Sequence, residues 1–211
     1  MTRRAVLFDI GGPVDMEFAW EIAVDGAIAA SCGMEGVRVD QAMVEEASDK
    51  AVAAFAEDTY GHMIETLCGD PVTVARVRHR VEAMTGQLDA FQLRPDIDGL
   101  LRQLRQPSGL LLGARNCPWE RLEREGLADF FTRDLDLPPA DCIFVGDRLD
   151  RDIAPARAAG MATIQFRTGR WRKQRPHNEA ETPDEVVTDV AELEAAILAL
   201  LNGPRSSSSA S

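Results

Sequence analysis

Three aspartates stand where an α/β chain would gather its chemistry. Asp9 closes the apolar run Ala5-Val6-Leu7-Phe8, Asp147 follows Ile143-Phe144-Val145-Gly146, and Asp152 comes five residues later. In an open parallel sheet the functional groups collect beyond the carboxyl ends of the strands, so both runs would carry an aspartate to one edge. Carboxylates that meet there repel each other unless a cation or a proton shares the site. A ligand set made of oxygen alone suits Mg²⁺, which takes one or two carboxylates together with waters and phosphate. Gly11-Gly12, directly after Asp9, leaves room for backbone N–H groups to approach an anion. Taken singly, each aspartate reads as well as the cap of a turn or helix. Two of them at two strand ends favour a shared site.

The elements that must position these groups follow from the apolar pattern. Short apolar runs at 5–8, 110–112, 143–145, 162–166 and 186–187 suit buried strands, several of them stopped by Gly or Pro. From residue 110 onward strand and helix alternate, with helices expected around 118–125, 152–159 and 191–201, and this grammar implies a parallel sheet covered on both faces. Residues 16–94 read as helical throughout. Phe18, Ile22 and Ala29 share one face, Met43, Ala47, Ala51 and Phe55 another, and Val74, Val77, Val81 and Met84 a third. Asp70-Pro71 is a capping residue followed by proline at the first helical position, with Gly69 ending the helix before it. Pro95 opens a helix whose Ile97, Leu100, Leu101 and Leu104 point one way. The fold class is therefore α/β, a doubly wound parallel sheet core built from 1–15 and 95–203. An all-helical insertion, 16–94, interrupts it, and a low-complexity tail, 204–211, is expected to be disordered.

The chain has 211 residues, with 23 Lys+Arg against 35 Asp+Glu and a formal net charge of −12. Such a surface repels polyanions, which argues against nucleic acid or an acidic membrane as partner. No apolar run approaches the ~20 residues of a membrane span, and the run behind Arg3-Arg4 is too short for a signal sequence. Cys32, Cys68, Cys117 and Cys142 lack paired spacing and read as free thiols, so a cytoplasmic location is expected. His62, His79 and His177 lack metal-ligand spacing. Arg167, Arg170, Arg172, Lys173 and Arg175 around Trp171 read as a solvated loop, and Asp15 as a helix cap.

These residues together resemble the haloacid dehalogenase superfamily. Val6-Leu7-Phe8-Asp9-Ile10-Gly11-Gly12-Pro13-Val14-Asp15 is similar to its first motif, Asp-x-Asp-Gly-Thr. Phe144-Val145-Gly146-Asp147 through Asp152-Ile153 is similar to its fourth, Gly-Asp-x-x-x-x-Asp, with Ala154–Met161 as the usual continuation. The helical insertion resembles the small cap of one large branch, and Leu93-Arg94-Pro95-Asp96 its return into the core. The resemblance implies a Mg²⁺-dependent phosphatase acting on a small phosphorylated molecule through an aspartyl-phosphate on Asp9. Asp9, Asp147 and the backbone carbonyl of Gly11 would hold the metal, with Asp152 either binding it directly or supporting those ligands. Gly11, Gly12, Arg115 and Asn116 would receive the phosphate.

The chain departs from the family pattern at three places. Gly11 stands where the family carries its acid/base aspartate. Gly113-Ala114-Arg115-Asn116 offers no hydroxyl where the second motif has Ser or Thr. Only 11 residues separate Phe131 from Ile143, too few for the strand–helix unit that carries the family's lysine, with Arg133 the basic residue left there. An alternative reading is therefore a catalytically impaired relative that keeps the metal and phosphate site for binding or assembly. A 2-haloacid dehalogenase would explain Gly11 but needs the lysine and a Ser/Asn pair. Substrate identity and oligomeric state stay open.

Overall fold

The computed structural model describes residues 4–106 and 109–202; the tail 204–211 lies outside them. Five parallel strands, β1 (Ala5–Asp9), β2 (Leu111–Arg115), β3 (Cys142–Gly146), β4 (Ala162–Phe166) and β5 (Glu185–Val187), form one sheet in the order β2-β1-β3-β4-β5. All five lie on the apolar runs of the sequence. β3 and β4 are buried along their whole length, as strands covered on both faces must be. In register, Asp9 pairs with Arg115 of β2, and Phe8 pairs with Val145 of β3. The strand order reverses between β1 and β3, so the switch point of the sheet falls at the ends that carry Asp9 and Asp147.

β2 is an edge strand, and the connection from it to β3 contains one short α-helix, α6 (Trp119–Arg124), two single-turn 3-10 helices and no strand among the described residues. Its extended part covers the exposed edge instead. The Thr132 N–H donates to the Leu112 carbonyl at 2.7 Å, and the Phe131 ring meets Phe8 edge-on with centroids 6.3 Å apart. Leu135 fills the space over Gly113, where a Cβ would stand 2.7 Å from its Cδ1. A segment of a dozen residues thus does part of the covering that a further strand–helix unit would do.

The chain divides into two compact units. One holds Glu17–Gln92 and Gly169–Arg175; the rest of the described chain, with the sheet, forms the other. The first contains α1 (Phe18–Met34), α2 (Gln41–Ala53), α3 (Thr59–Cys68) and α4 (Pro71–Thr85). Aspartates start three of these helices. Asp40 accepts from the Met43 N–H, Asp58 from Gly61, and Asp70 from both Val72 and Thr73, with Pro71 in the first turn. Val24, Ile28, Cys32, Val44, Ala47, Ala51, Met63, Ile64, Val77 and Val81 make the common core. The face expected for α1 is the wrong one: Phe18 and Ile22 are exposed, Ile22 to 72%, while Val24, Ala27, Ile28, Ser31 and Cys32 are buried. Met43 and Met84 are likewise exposed, each one step off the buried stripe. All four cysteines are free thiols.

The basic segment after β4 is not a solvated loop. Gly169–Arg175 belongs to the helical unit, and Arg170 is 8% exposed there. Its backbone N–H donates to Glu21, and its guanidinium donates to Asp25 at 2.8 Å and to Ser48. That guanidinium also lies over the Tyr60 ring, and Lys173 pairs with Asp49.

In the sheet unit, α5 (Ile97–Arg105) buries Ile97, Leu100, Leu101 and Leu104, as its spacing requires. A π turn at Leu149–Ile153 leads into α7 (Ala154–Ala158), and α8 (Val190–Asn202) ends the described chain. No helix among the described residues is long and apolar enough to cross a membrane.

Candidate active site

Asp9 sits at the last position of β1 and is 7% exposed. Asn116, one residue past β2, adopts the left-handed conformation, φ 58°, which asparagine tolerates better than most residues. That turn brings its Nδ2 to 2.9 Å from Oδ1 of Asp9, where it donates a hydrogen bond that fixes the carboxylate's orientation. The adjacent strands and one uncommon backbone angle thus join two residues 107 positions apart.

Asp147 follows β3 directly and is 3% exposed; Asp152 lies in the π turn and is 1% exposed. One carboxylate oxygen from each of Asp9, Asp147 and Asp152 can be chosen so that all three lie within 4.8 Å of one another. Helical turns of π type are rare and cluster at functional sites. Here the turn places Asp152 so that its Oδ2 accepts from the Arg148 N–H at 3.0 Å. Oδ1 of the same carboxylate is buried with no hydrogen-bond partner. The capping role and the site role therefore fall to different oxygens of one side chain. Burial raises the Asp152 pKa, with the Arg148 N–H and the charge of Arg115 acting against it.

Two glycines make this approach possible. A Cβ on Gly12, φ 82°, would stand 2.6 Å from the carboxyl carbon of Asp147, and one on Gly146 would stand 2.7 Å from that of Asp152. The donor set is all oxygen, buried, crowded and short of one hydrogen-bond partner. It fits a hard divalent cation.

The remaining expected residues are placed as follows. Gly11 lies in the turn after Asp9 and bridges to Asp15. The Gly12 N–H donates to the Asp15 carbonyl at 2.8 Å, so it is engaged within the turn. Arg115 ends β2 and is exposed; its guanidinium lies 5.4 Å from the centroid of the Phe144 ring, with no ion pair or side-chain hydrogen bond among the described residues. Asp15 does not cap a helix: it is 7% exposed, its backbone pairs with Gly11 and Leu93, and the position before α1 is Glu17.

Sequence reasoning missed Gln165, Arg94 and Thr168, which hold this edge. Gln165, fully buried on β4, donates from Nε2 to the Asp147 carbonyl at 3.3 Å. Arg94 donates to the carbonyls of Gly12 and Pro13 and to the Thr168 hydroxyl. For Gln165 a signal existed: a polar residue inside the apolar run Ala162–Phe166 needs a partner.

The profile of a family described as HAD-hydrolase-like matches residues 124–193. A glyceraldehyde 3-phosphate phosphatase of Methanopyrus kandleri is 33% identical over 117 residues, a match covering 43% of this chain and 50% of that protein. The match thus spans half the length of that curated relative. A HAD phosphatase of Thermococcus onnurineus superposes with a TM-score of 0.53 at 22% identity, covering 96% of this chain and 99% of that one. YfnB of Bacillus subtilis, described as a HAD-type hydrolase and solved bound to magnesium, gives 0.59 at 15% identity, covering 93% and 99%. At these identities the structural likeness concerns the fold.

Proposed function

We propose, from the premise that this chain belongs to the haloacid dehalogenase-like superfamily, that it is a Mg²⁺-dependent phosphatase of a small phosphorylated molecule. The observation that carries the reading is the convergence of three buried carboxylates at the switch point of the sheet. Asp9, Asp147, Asp152 and the Gly11 carbonyl would hold the ion, which when bound withdraws charge from the carboxylates and from phosphoryl oxygens. Similarity to a glyceraldehyde 3-phosphate phosphatase supports a small phosphate ester as the substrate class.

Asp9 acts as nucleophile: a carboxylate oxygen attacks phosphorus, the ester oxygen leaves, and water then hydrolyses the aspartyl-phosphate. Asn116 keeps the Asp9 carboxylate in one orientation for that attack. Three carboxylates against a divalent cation leave one negative charge, so an arriving phosphate needs a further cation. Arg115, paired with no acid among the described residues and close enough for its charge to act on Asp152, supplies it. Gly11 offers no proton to the leaving oxygen, so this step falls to water and leaving groups of low pKa are preferred.

That same glycine favours a second reading, a relative that keeps the metal and phosphate site for binding or assembly. Hydrolysis of an aryl phosphate by the wild type and by Asp9→Asn, with and without Mg²⁺, separates the two. Metal-dependent turnover lost in the variant supports the enzyme. Equal traces in both proteins support the binding role.

A further inference from the structure

Arg94 stands where the chain re-enters the sheet unit, one residue past Leu93, and its contacts gather three stretches of that unit. Its backbone N–H donates to the Val14 carbonyl at 2.8 Å, and Leu93 beside it bridges to Asp15. Its Nε donates to the Pro13 carbonyl at 2.9 Å, and its Nη2 donates both to the Gly12 carbonyl and to the Thr168 hydroxyl, the latter at 2.7 Å. The guanidinium lies 4.5 Å from the centroid of the Phe166 ring. Residues 16/17, 92/93, 168/169 and 175/176 are where the chain passes between its two units. One planar fork just past the second passage therefore ties the sheet-unit stretches beside the first and third of these four passages.

Gly12 is the residue whose backbone abuts the carboxyl group of Asp147, with no space for a single carbon between them. Whatever holds the Gly12 carbonyl holds the wall against which Asp147 rests. Burial lowers the Arg94 pKa, and the charges of Asp147 and Asp15 act the other way, which puts the guanidinium within the field of the site.

We propose that Arg94 is a positioning residue for the cation site: through the Gly12 carbonyl it fixes Asp147 in the geometry that ligates a divalent ion. The proposal rests on the cation reading of the three aspartates. It requires the fork and not merely a positive charge, because three acceptors in different directions match a guanidinium and exceed the reach of an ammonium point charge. Groups that orient a metal ligand typically cost about 10–100-fold in metal affinity when lost.

The test is a titration of the full chain with Mg²⁺ alone, followed by calorimetry and by thermal shift, with circular dichroism to confirm folding. Arg94→Lys keeps the charge and is expected to bind Mg²⁺ about tenfold more weakly than the wild type. Thr168→Val, which removes one anchor of the fork and no charge, should weaken binding in the same direction by a smaller factor. In an Asp147→Asn background Arg94→Lys should have no further effect, since the ligand it serves is gone; a structural role would persist there. Wild type that binds no Mg²⁺ at millimolar concentration overturns the cation site and this proposal with it. Wild type that binds, with Arg94→Lys and Thr168→Val equal to it, overturns the proposal alone. Should Arg94→Lys fail to fold, Thr168→Val in the two Asp147 backgrounds decides by the same criterion.

Discussion

Gly12 and Asp147 share a space that admits no side chain on the glycine: a Cβ there would lie 2.6 Å from the Asp147 carboxyl carbon. Gly146 and Asp152 stand in the same relation, at 2.7 Å. Close approach by a carboxylate, rather than by a ligand's phosphate, is thus what these two glycines provide.

Gly12→Ala should consequently disable the cation site while leaving a folded protein. The left-handed backbone at this position costs an alanine about 1–2 kcal/mol, and the methyl group displaces Asp147. Mg²⁺ at millimolar concentration should raise the wild-type melting temperature by mass action and leave that of Gly12→Ala unchanged. Asp147→Ala should behave the same way. A full Mg²⁺ increment in Gly12→Ala, measured by differential scanning fluorimetry, would refute the steric account.

Gly11→Asp should raise the turnover of an aryl phosphate. A carboxylate two residues after the nucleophile could protonate the leaving oxygen and later activate water. The gain should fall short of the ~10²–10⁴ of a well-placed acid/base, because the added negative charge also repels the phosphate. It should appear in kcat more than in KM. A folded variant with turnover no higher than wild type would show that proton transfer is not the limiting step.

Arg115→Ala should weaken phosphate recognition, and Arg115→Lys should restore part of it. Loss of one charge-assisted contact to a phosphate corresponds to about 1.5–3 kcal/mol, or roughly tenfold to a hundredfold in kcat/KM. Unchanged steady-state kinetics in Arg115→Ala would remove this residue from the site.

The helical unit should lose stability when the Arg170 anchor is removed, and should carry a pH signature of its own. Arg170→Met leaves the Asp25 carboxylate without its ion-pair partner and removes the positive charge that acts on Glu21, at a cost of about 3 kcal/mol. Burial raises Glu21 above its ordinary 4.5, with Arg170 opposing the shift. A carboxyl group with a raised folded pKa favours the folded state below pH 4.5, and that contribution is lost as pH rises through the folded value. Glu21→Gln should therefore gain on the wild type in thermal melts as pH rises above 4.5. A difference between the two proteins that stays constant with pH would contradict the assignment.

What the sequence discloses here depends on how local the cause is. The five strands, the aspartates at their ends, the Asp70-Pro71 cap and the buried face of Ile97–Leu104 were readable because apolar runs, caps and periodicity act within a few residues. The face of α1 was not, since the helix offers two apolar stripes and the packing of the other helices decides between them. Arg170 looks like one charge in a basic run, and its partners Asp25 and Ser48 lie 145 and 122 positions away. Arg94 reads only as part of the chain's return into the core, and its acceptors are 74 to 82 positions distant. A cation whose acceptors all lie far away in sequence leaves no periodic trace.

The central claim is that Asp9 takes a phosphoryl group. Brief reaction with [³²P]acetyl phosphate and Mg²⁺, quenched in acid, tests it by locating the label after proteolysis. The account predicts label on the peptide that contains Asp9, dependent on Mg²⁺ and absent from Asp9→Asn. Turnover of acetyl phosphate by a wild-type protein whose Asp9 peptide never carries label would contradict it.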